Sequence, residues 1–296
     1  MNRRAALAAI AAAGAFAPAL VRADAAGRTF APSLPSAPFP HPSRANGHDY
    51  DKVHYSTEAA YSDSTVGIYV PANFRDGANI DAIVHFHGWH NHVDDVFRRY
   101  RLREQVEASG VGAILIVPQG PKDAPDSGDG KLELDRGGLA RLLADVLAYL
   151  NAQRATKASA IGRVAITAHS GGYGGAGGSL LLGGVDAITD VILFDAAYGY
   201  FDAFAGWANA SPAHHFLSVF TADTSMGNAT LMAEMQAAAH PDVRVFDADA
   251  MTLAQLQTRA PTFAETRTVA HDDLMQKFSW YELFLKATAL ASPATT

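Results

Sequence analysis

Not one of the 296 residues is cysteine, which excludes disulfide staples, thiol nucleophiles and thiolate-bound metals. Basic charge is scarce as well. The chain has 23 Lys and Arg against 30 Asp and Glu, a net charge of −7. That sign repels polyanions, so nucleic acid and anionic membranes are poor partners, and a small or neutral substrate is expected. Beyond the N-terminus no run is long and apolar enough to span a bilayer. At 49% hydrophobic and 18% charged, the composition also lacks the bias of a disordered chain. The length suits one large α/β domain or two small ones.

What is present begins with a leader. "MNRRAALAAIAAAGAFAPALVRADAAG" has two arginines, an alanine-rich apolar run broken by Pro18, and an A-x-A pattern at Ala23-Asp24-Ala25. This predicts a signal peptide over residues 1–25 and a periplasmic or secreted protein. Arg3-Arg4 leaves the twin-arginine route open. Removing the leader's net +2 takes the chain from −7 to −9. Residues 26–50, with five prolines from Pro32 to Pro42, read as an extended arm. A single domain is expected over 51–290, followed by a short tail, 291–296.

Within that domain, apolar strand-like runs alternate with helical ones. "STVGIYVPANF", "NIDAIVHFHG", "VGAILIVPQG", "RVAITAHS", "DVILFDAAYG", "HFLSVFTADTS" and "VRVFDADA" are the strand candidates. "VDDVFRRYRLREQVEASG", "GGLARLLADVLAYLNAQ" and "LMQKFSWYELFLKATAL" carry helical spacing. The alternation predicts an α/β fold with a doubly wound, mostly parallel sheet. Ligands in such sheets sit at the carboxyl ends of the strands, so the residues that end strands matter most. The acidic stretch 119–136 reads as a solvated loop near those ends, since its aspartate spacing does not fit a calcium loop. About 18 residues separate the fourth and fifth strands, too few for a large lid.

One strand runs directly into "AHSGGYGG". A serine on so sharp a strand-to-helix turn raises its hydroxyl above the sheet, and small residues are needed two before and two after it. Here these are Ala168 and Gly172. The pattern resembles the nucleophile elbow of the α/β-hydrolase superfamily, with Ala168 where the first glycine of G-x-S-x-G usually stands. The order of elements resembles that superfamily too. His87-Gly88 follows an earlier strand, and His271 in "TRTVAHDDL" comes last. The resemblance covers roughly 52–290. It implies a nucleophile at Ser170, a base at His271, and an oxyanion hole from the backbone N–H groups of Trp89 and Gly171.

The acid that would orient His271 has two candidates. Asp223 ends the later strand, where the superfamily usually places it. Asp195 ends the strand before, a minority position. Asp195 directly follows the apolar run 191–194, so a carboxylate there needs a hydrogen-bonding partner, and on that ground it is favoured. The other aspartate reads as a turn or helix-cap residue. Of the aromatics after Asp195 (Tyr198, Tyr200, Phe201, Phe204 and Trp207), some could line a substrate pocket facing Trp89, although such spacing more often marks core.

Two other chemistries fit parts of the same residues. Gly172-x-Gly174-x-x-Gly177 after a strand, with Asp195 ending the next one, comes close to a dinucleotide fingerprint. His85-x-His87-x-x-His90, with His92 and Asp94 nearby, has partial metal-ligand spacing, but Trp89 stands where the corresponding metallohydrolase signature has aspartate. The His214-His215 and His240-Pro241 pairs read as strand-edge and turn residues. The expectation is an exported serine hydrolase of carboxylic esters, small or polymeric, that needs no cofactor. The alternatives are an amidase or peptidase with the same triad, a dinucleotide-dependent oxidoreductase, a metallohydrolase, and a non-catalytic binding protein on a hydrolase scaffold. Nothing in the sequence sets the oligomeric state.

Overall fold

In the computed structural model, the described residues are 27–238, 242–276 and 279–291, with the backbone of Arg22–Ala23. The rest of residues 1–25, where a signal peptide is expected, the His240-Pro241 pair expected in a turn, and residues 292–296 lie outside them. The buried apolar runs form one sheet. Nine strands follow one another across it in the order Arg28–Phe30, Val66–Val70, Ile114–Pro118, Asn79–Phe86, Ala160–His169, Ile188–Phe194, His215–Phe220, Thr262–Glu265 and Arg244–Asp247. The two-residue Arg22–Ala23 piece pairs with Arg28–Phe30 at the edge. Val66–Val70 runs antiparallel to both its neighbours, and from Ile114–Pro118 onward every pair is parallel. This is an α/β fold of α/β-hydrolase type. Helices bury both faces: one core contains Leu139, Leu142, Val146 and Phe204, the other Val96, Val106, Tyr281 and Phe284. Burial on both faces is why these strands read as continuous apolar runs rather than as alternating ones.

Several elements differ from the sequence reading. Arg28–Phe30 and Thr262–Glu265 are strands too short to announce themselves. The helical run after His92 is two helices, Val93–Arg99 and Leu102–Ser109, parted where Arg101 takes a left-handed φ of 50°. The proline-rich arm packs on the domain rather than extending from it. Phe30, Leu34 and Phe39 are buried, and its hairpin, His48–Tyr50 paired with Val53–Tyr55, turns at Asp51-Lys52, both at positive φ.

The 119–136 stretch is not a solvated loop either. Pro121, Ala124, Pro125, Asp126 and Asp129 are buried, and Gly130–Leu134 forms a short helix. Asp126 is held by Arg44 of the arm through two hydrogen bonds of 2.6 and 2.8 Å. His215 is also no edge residue. It is fully buried, bonded to Asp190 at 3.0 Å and to the Leu256 carbonyl at 2.8 Å.

The glycines of "SGGYGGAGG" have a packing cause. They lie in the 3-10 turn Ser170–Gly172 and the helix Tyr173–Leu182. A Cβ on Gly174 would come 2.0 Å from the Ser127 carbonyl oxygen, and one on Gly178 2.4 Å from Glu133 Cα. On Gly177 it would meet the Tyr200 ring at 2.4 Å. The 119–136 stretch therefore lies backbone to backbone against this helix, beside the serine turn.

Candidate active site

Ser170 ends the strand Ala160–His169 with φ 52°, a left-handed conformation that costs an L-residue energy and persists only where its surroundings impose it. Two close approaches impose it here. A Cβ on Gly172 would sit 2.3 Å from the Phe86 carbonyl oxygen, and one on Gly88 would sit 2.7 Å from Ser170 Cβ. Larger residues at either place would push the turn apart, so the hydroxyl is aimed by backbone packing.

Three sequence-selected residues meet at this point. His271 Nε2 lies 2.8 Å from Ser170 Oγ, and His271 Nδ1 lies 2.7 Å from Asp195 Oδ2. An ionised Asp195 only accepts, so Nδ1 carries the proton and Nε2 is free to accept from the serine hydroxyl. Asp195, at φ 48°, is fully buried at the end of Ile188–Phe194. Burial pushes its carboxyl up, but hydrogen bonds from His271, Thr221 and Thr224 outweigh that and hold it below the usual carboxylate range. Thr221 donates through its N–H at 2.9 Å and its hydroxyl at 2.5 Å, and the Thr224 hydroxyl also donates.

For His271, burial lowers the basicity, but the bond and charge of Asp195, then the charges of Asp272 and Asp223, more than reverse it. Its pKa is raised above the ordinary 6.5. Asp223 is exposed and has no hydrogen bond to His271 among the described residues. It still lies close: ligand atoms of Asp195, Asp223 and His271 fall within 4.8 Å of one another. These are the only described acids and histidines so grouped, and Asp195 and His271 already bind each other.

The Trp89 and Gly171 segments touch. A Cβ on Gly171 would meet Trp89 Cδ1 at 2.4 Å, and the indole Nε1–H donates to Ser127 Oγ at 2.8 Å. His169, one residue before the serine, stacks on His271 with ring centroids 5.1 Å apart and planes at 26°. Burial, aided by the nearby His271, pushes its pKa down to about 3, so it stays neutral.

The histidine cluster does not converge on one point. His87 Nε2 accepts from the Gly120 N–H at 3.1 Å, so its Nδ1–H donates to the Gly88 carbonyl at 2.9 Å and fixes the turn. His85 faces Thr167 in the core at 2.9 Å. His92 bonds outward to Asp123 at 2.8 Å. With its partners so dispersed, the cluster does not make a metal site. The dinucleotide reading fails on space. Protein backbone or side chain fills the approach to Gly172, Gly174 and Gly177, where a pyrophosphate would need it open.

A cavity of about 250 Å³ opens over Ser170, walled by Trp89, Ser127, Tyr173, Tyr198 and His271. Tyr198 and Trp89 therefore line it as expected, whereas Phe204 is core. Sequence reasoning missed Ser127, Tyr173 and the two threonines. The threonines had a visible signal, since three hydroxyl residues flank Asp223 in "TADTS".

Comparison with known proteins agrees with this frame. No family model and no curated protein sequence matches the chain. Solved structures do match. An S-formylglutathione hydrolase from Agrobacterium tumefaciens is 13% identical, covering 90% of this chain and 95% of its own, with a TM-score of 0.51. The feruloyl esterase module from Clostridium thermocellum is 11% identical over 75% of this chain and 82% of its own, TM-score 0.52. A ferulic acid esterase is 13% identical over 77% and 92%, TM-score 0.50. At such identities the shared property is the fold, that of esterase-type α/β-hydrolases.

Proposed function

We propose that the protein is a serine hydrolase of carboxylic esters. The observation that carries this reading is the unbroken chain Ser170 Oγ, His271 Nε2, His271 Nδ1, Asp195 Oδ2, with links of 2.8 and 2.7 Å, under an open cavity. Ser170 attacks the acyl carbon and His271 takes its proton, then returns it to the leaving alcohol. Asp195 fixes the tautomer and stabilises the imidazolium. The N–H groups of Trp89 and Gly171 stabilise the oxyanion. Water then frees the acyl-enzyme with His271 as base. The ester hydrolases among the structural neighbours support esters over amides.

Ser170→Ala is expected to lower kcat on 4-nitrophenyl acetate by about 10⁴-fold or more. An unchanged rate would sink the proposal. We further propose that residues 1–25 direct export to the periplasm or beyond, on the strength of Arg3-Arg4, the alanine-rich run and Ala23-Asp24-Ala25.

A further inference from the structure

Beside the cavity over Ser170 lies a second one, of about 430 Å³. Trp89, Ser127 and Tyr173 line both, so the two are neighbours across the bond from Trp89 Nε1 to Ser127 Oγ. The arm supplies the outer wall through Arg44, His48 and Tyr50. Tyr50 stands just before the hairpin turn and meets the Trp89 ring edge to face, centroids 5.1 Å apart. Both rings face solvent, Tyr50 at 45% exposure and Trp89 at 36%. Together they present an aromatic surface at the mouth of this cavity.

Pro125 and Leu134 add apolar surface to the wall, and the polar groups of the lining are of two kinds. Arg44 with Asp126, and Glu133 with the Tyr200 hydroxyl, are fixed pairs. The hydroxyls of Tyr50 and Tyr173 and the His48 ring have no protein hydrogen bond among the described residues.

We propose that this second cavity is a subsite for a polyhydroxylated ring, so that the substrate class is esters of sugars. The inference rests on the hydrolase reading above. A sugar ring has apolar C–H faces for Tyr50 and Trp89 and hydroxyls for the free groups and the charged pairs. A fatty chain would strip water from Arg44 and Glu133 and return no hydrogen bonds, a costly exchange. A plain aromatic ring would satisfy the two faces but few of the polar groups. In the reaction, the acyl group sits over Ser170 and the sugar oxygen is the leaving group. The Oγ–C bond forms first to give the oxyanion, the ester C–O bond then breaks, and the serine proton passes through His271 to the departing sugar oxygen. Water completes the hydrolysis, with no other reactant.

The test compares 6-O-acetyl methyl glucoside, ethyl acetate, methyl cinnamate and 4-nitrophenyl acetate as substrates of the full-length protein and of Tyr50→Ala. The glucoside is expected to exceed ethyl acetate in kcat/KM by at least about tenfold. Tyr50→Ala should lose about tenfold on the glucoside while staying within about twofold on 4-nitrophenyl acetate, with unchanged Tm because Tyr50 is a surface residue. Ser170-dependent turnover of 4-nitrophenyl acetate without preference for the glucoside overturns the subsite and leaves the hydrolase. A Tyr50→Ala loss confined to methyl cinnamate overturns it in favour of an aromatic group. Absence of Ser170-dependent turnover of any ester overturns both readings.

Discussion

Two aspartates approach His271, and only one bonds to it. Asp195 accepts from Nδ1 at 2.7 Å, so Asp195→Asn should leave the ring in the wrong tautomer and lower kcat by about 10³- to 10⁴-fold. Asp223 acts through charge alone. The base must be neutral to accept the serine proton, and His271 is raised above 6.5. The acid limb of kcat/KM is therefore expected to have its midpoint above pH 6.5. Asp223→Asn removes one of the charges that favour the imidazolium, so that limb should move to lower pH with the plateau rate little changed. A pH–rate profile of the two variants separates the roles. A large plateau loss in Asp223→Asn with none in Asp195→Asn would reverse them.

The residues that meet here were legible because each ends or follows a strand, and apolar runs show strand ends clearly. What chose between the aspartates was burial after Val191–Phe194, an argument about desolvation that needs only the local run. The supporting threonines were not legible as supports. Thr221 and Thr224 sit 26 and 29 positions from Asp195, and only the parallel pairing of Ile188–Phe194 with His215–Phe220 brings them to it.

Among the elements, the glycine-rich helix departs most from propensity. Four of its ten residues are glycine, each costing about 1 kcal/mol relative to alanine, and they are kept because the neighbouring segments leave no room for a Cβ. Gly178→Ala would force Cβ to within 2.4 Å of Glu133 Cα, an overpacking expected to destabilise by about 1–3 kcal/mol or more. Gly206 is the control. It lies inside the helix Phe201–Ala210, exposed, with nothing within 4 Å of its would-be Cβ, so Gly206→Ala should stabilise by about 0.5–1 kcal/mol. Equal thermal shifts in the two variants would contradict this packing account.

The same contact explains why the 119–136 stretch misread as solvated. Its charges are answered at long range, Asp126 by Arg44, 82 positions away, and nothing local reveals that. Thr262–Glu265 escaped notice because four residues are too few to show a period.

At the scale of the whole molecule, the sheet was readable from the alternation of elements, and the order Ser170, Asp195, His271 from the resemblance to α/β-hydrolases. The arm was not. Its prolines suggested an extended arm, while its rings pack on the domain and its hairpin walls a cavity beside the one over Ser170. Export concerns the chain as a whole. If the leader is cut after Ala25, the intact mass of protein recovered from the periplasm or medium should correspond to a chain starting at Ala26. Recovery of the full 296-residue chain from the cytoplasm alone would contradict it. Such a cut removes the Arg22–Ala23 piece and spares Arg28–Phe30, which then becomes the edge of the sheet.

The central claim is that Ser170 is a nucleophile made reactive by His271 and Asp195. Intact-mass and peptide analysis after treatment with a fluorophosphonate probe tests it most directly. The account predicts one adduct, located on Ser170, absent from Ser170→Ala and formed far more slowly in His271→Ala. An unlabelled Ser170 in folded protein, or labelling unaffected by loss of His271, would contradict it.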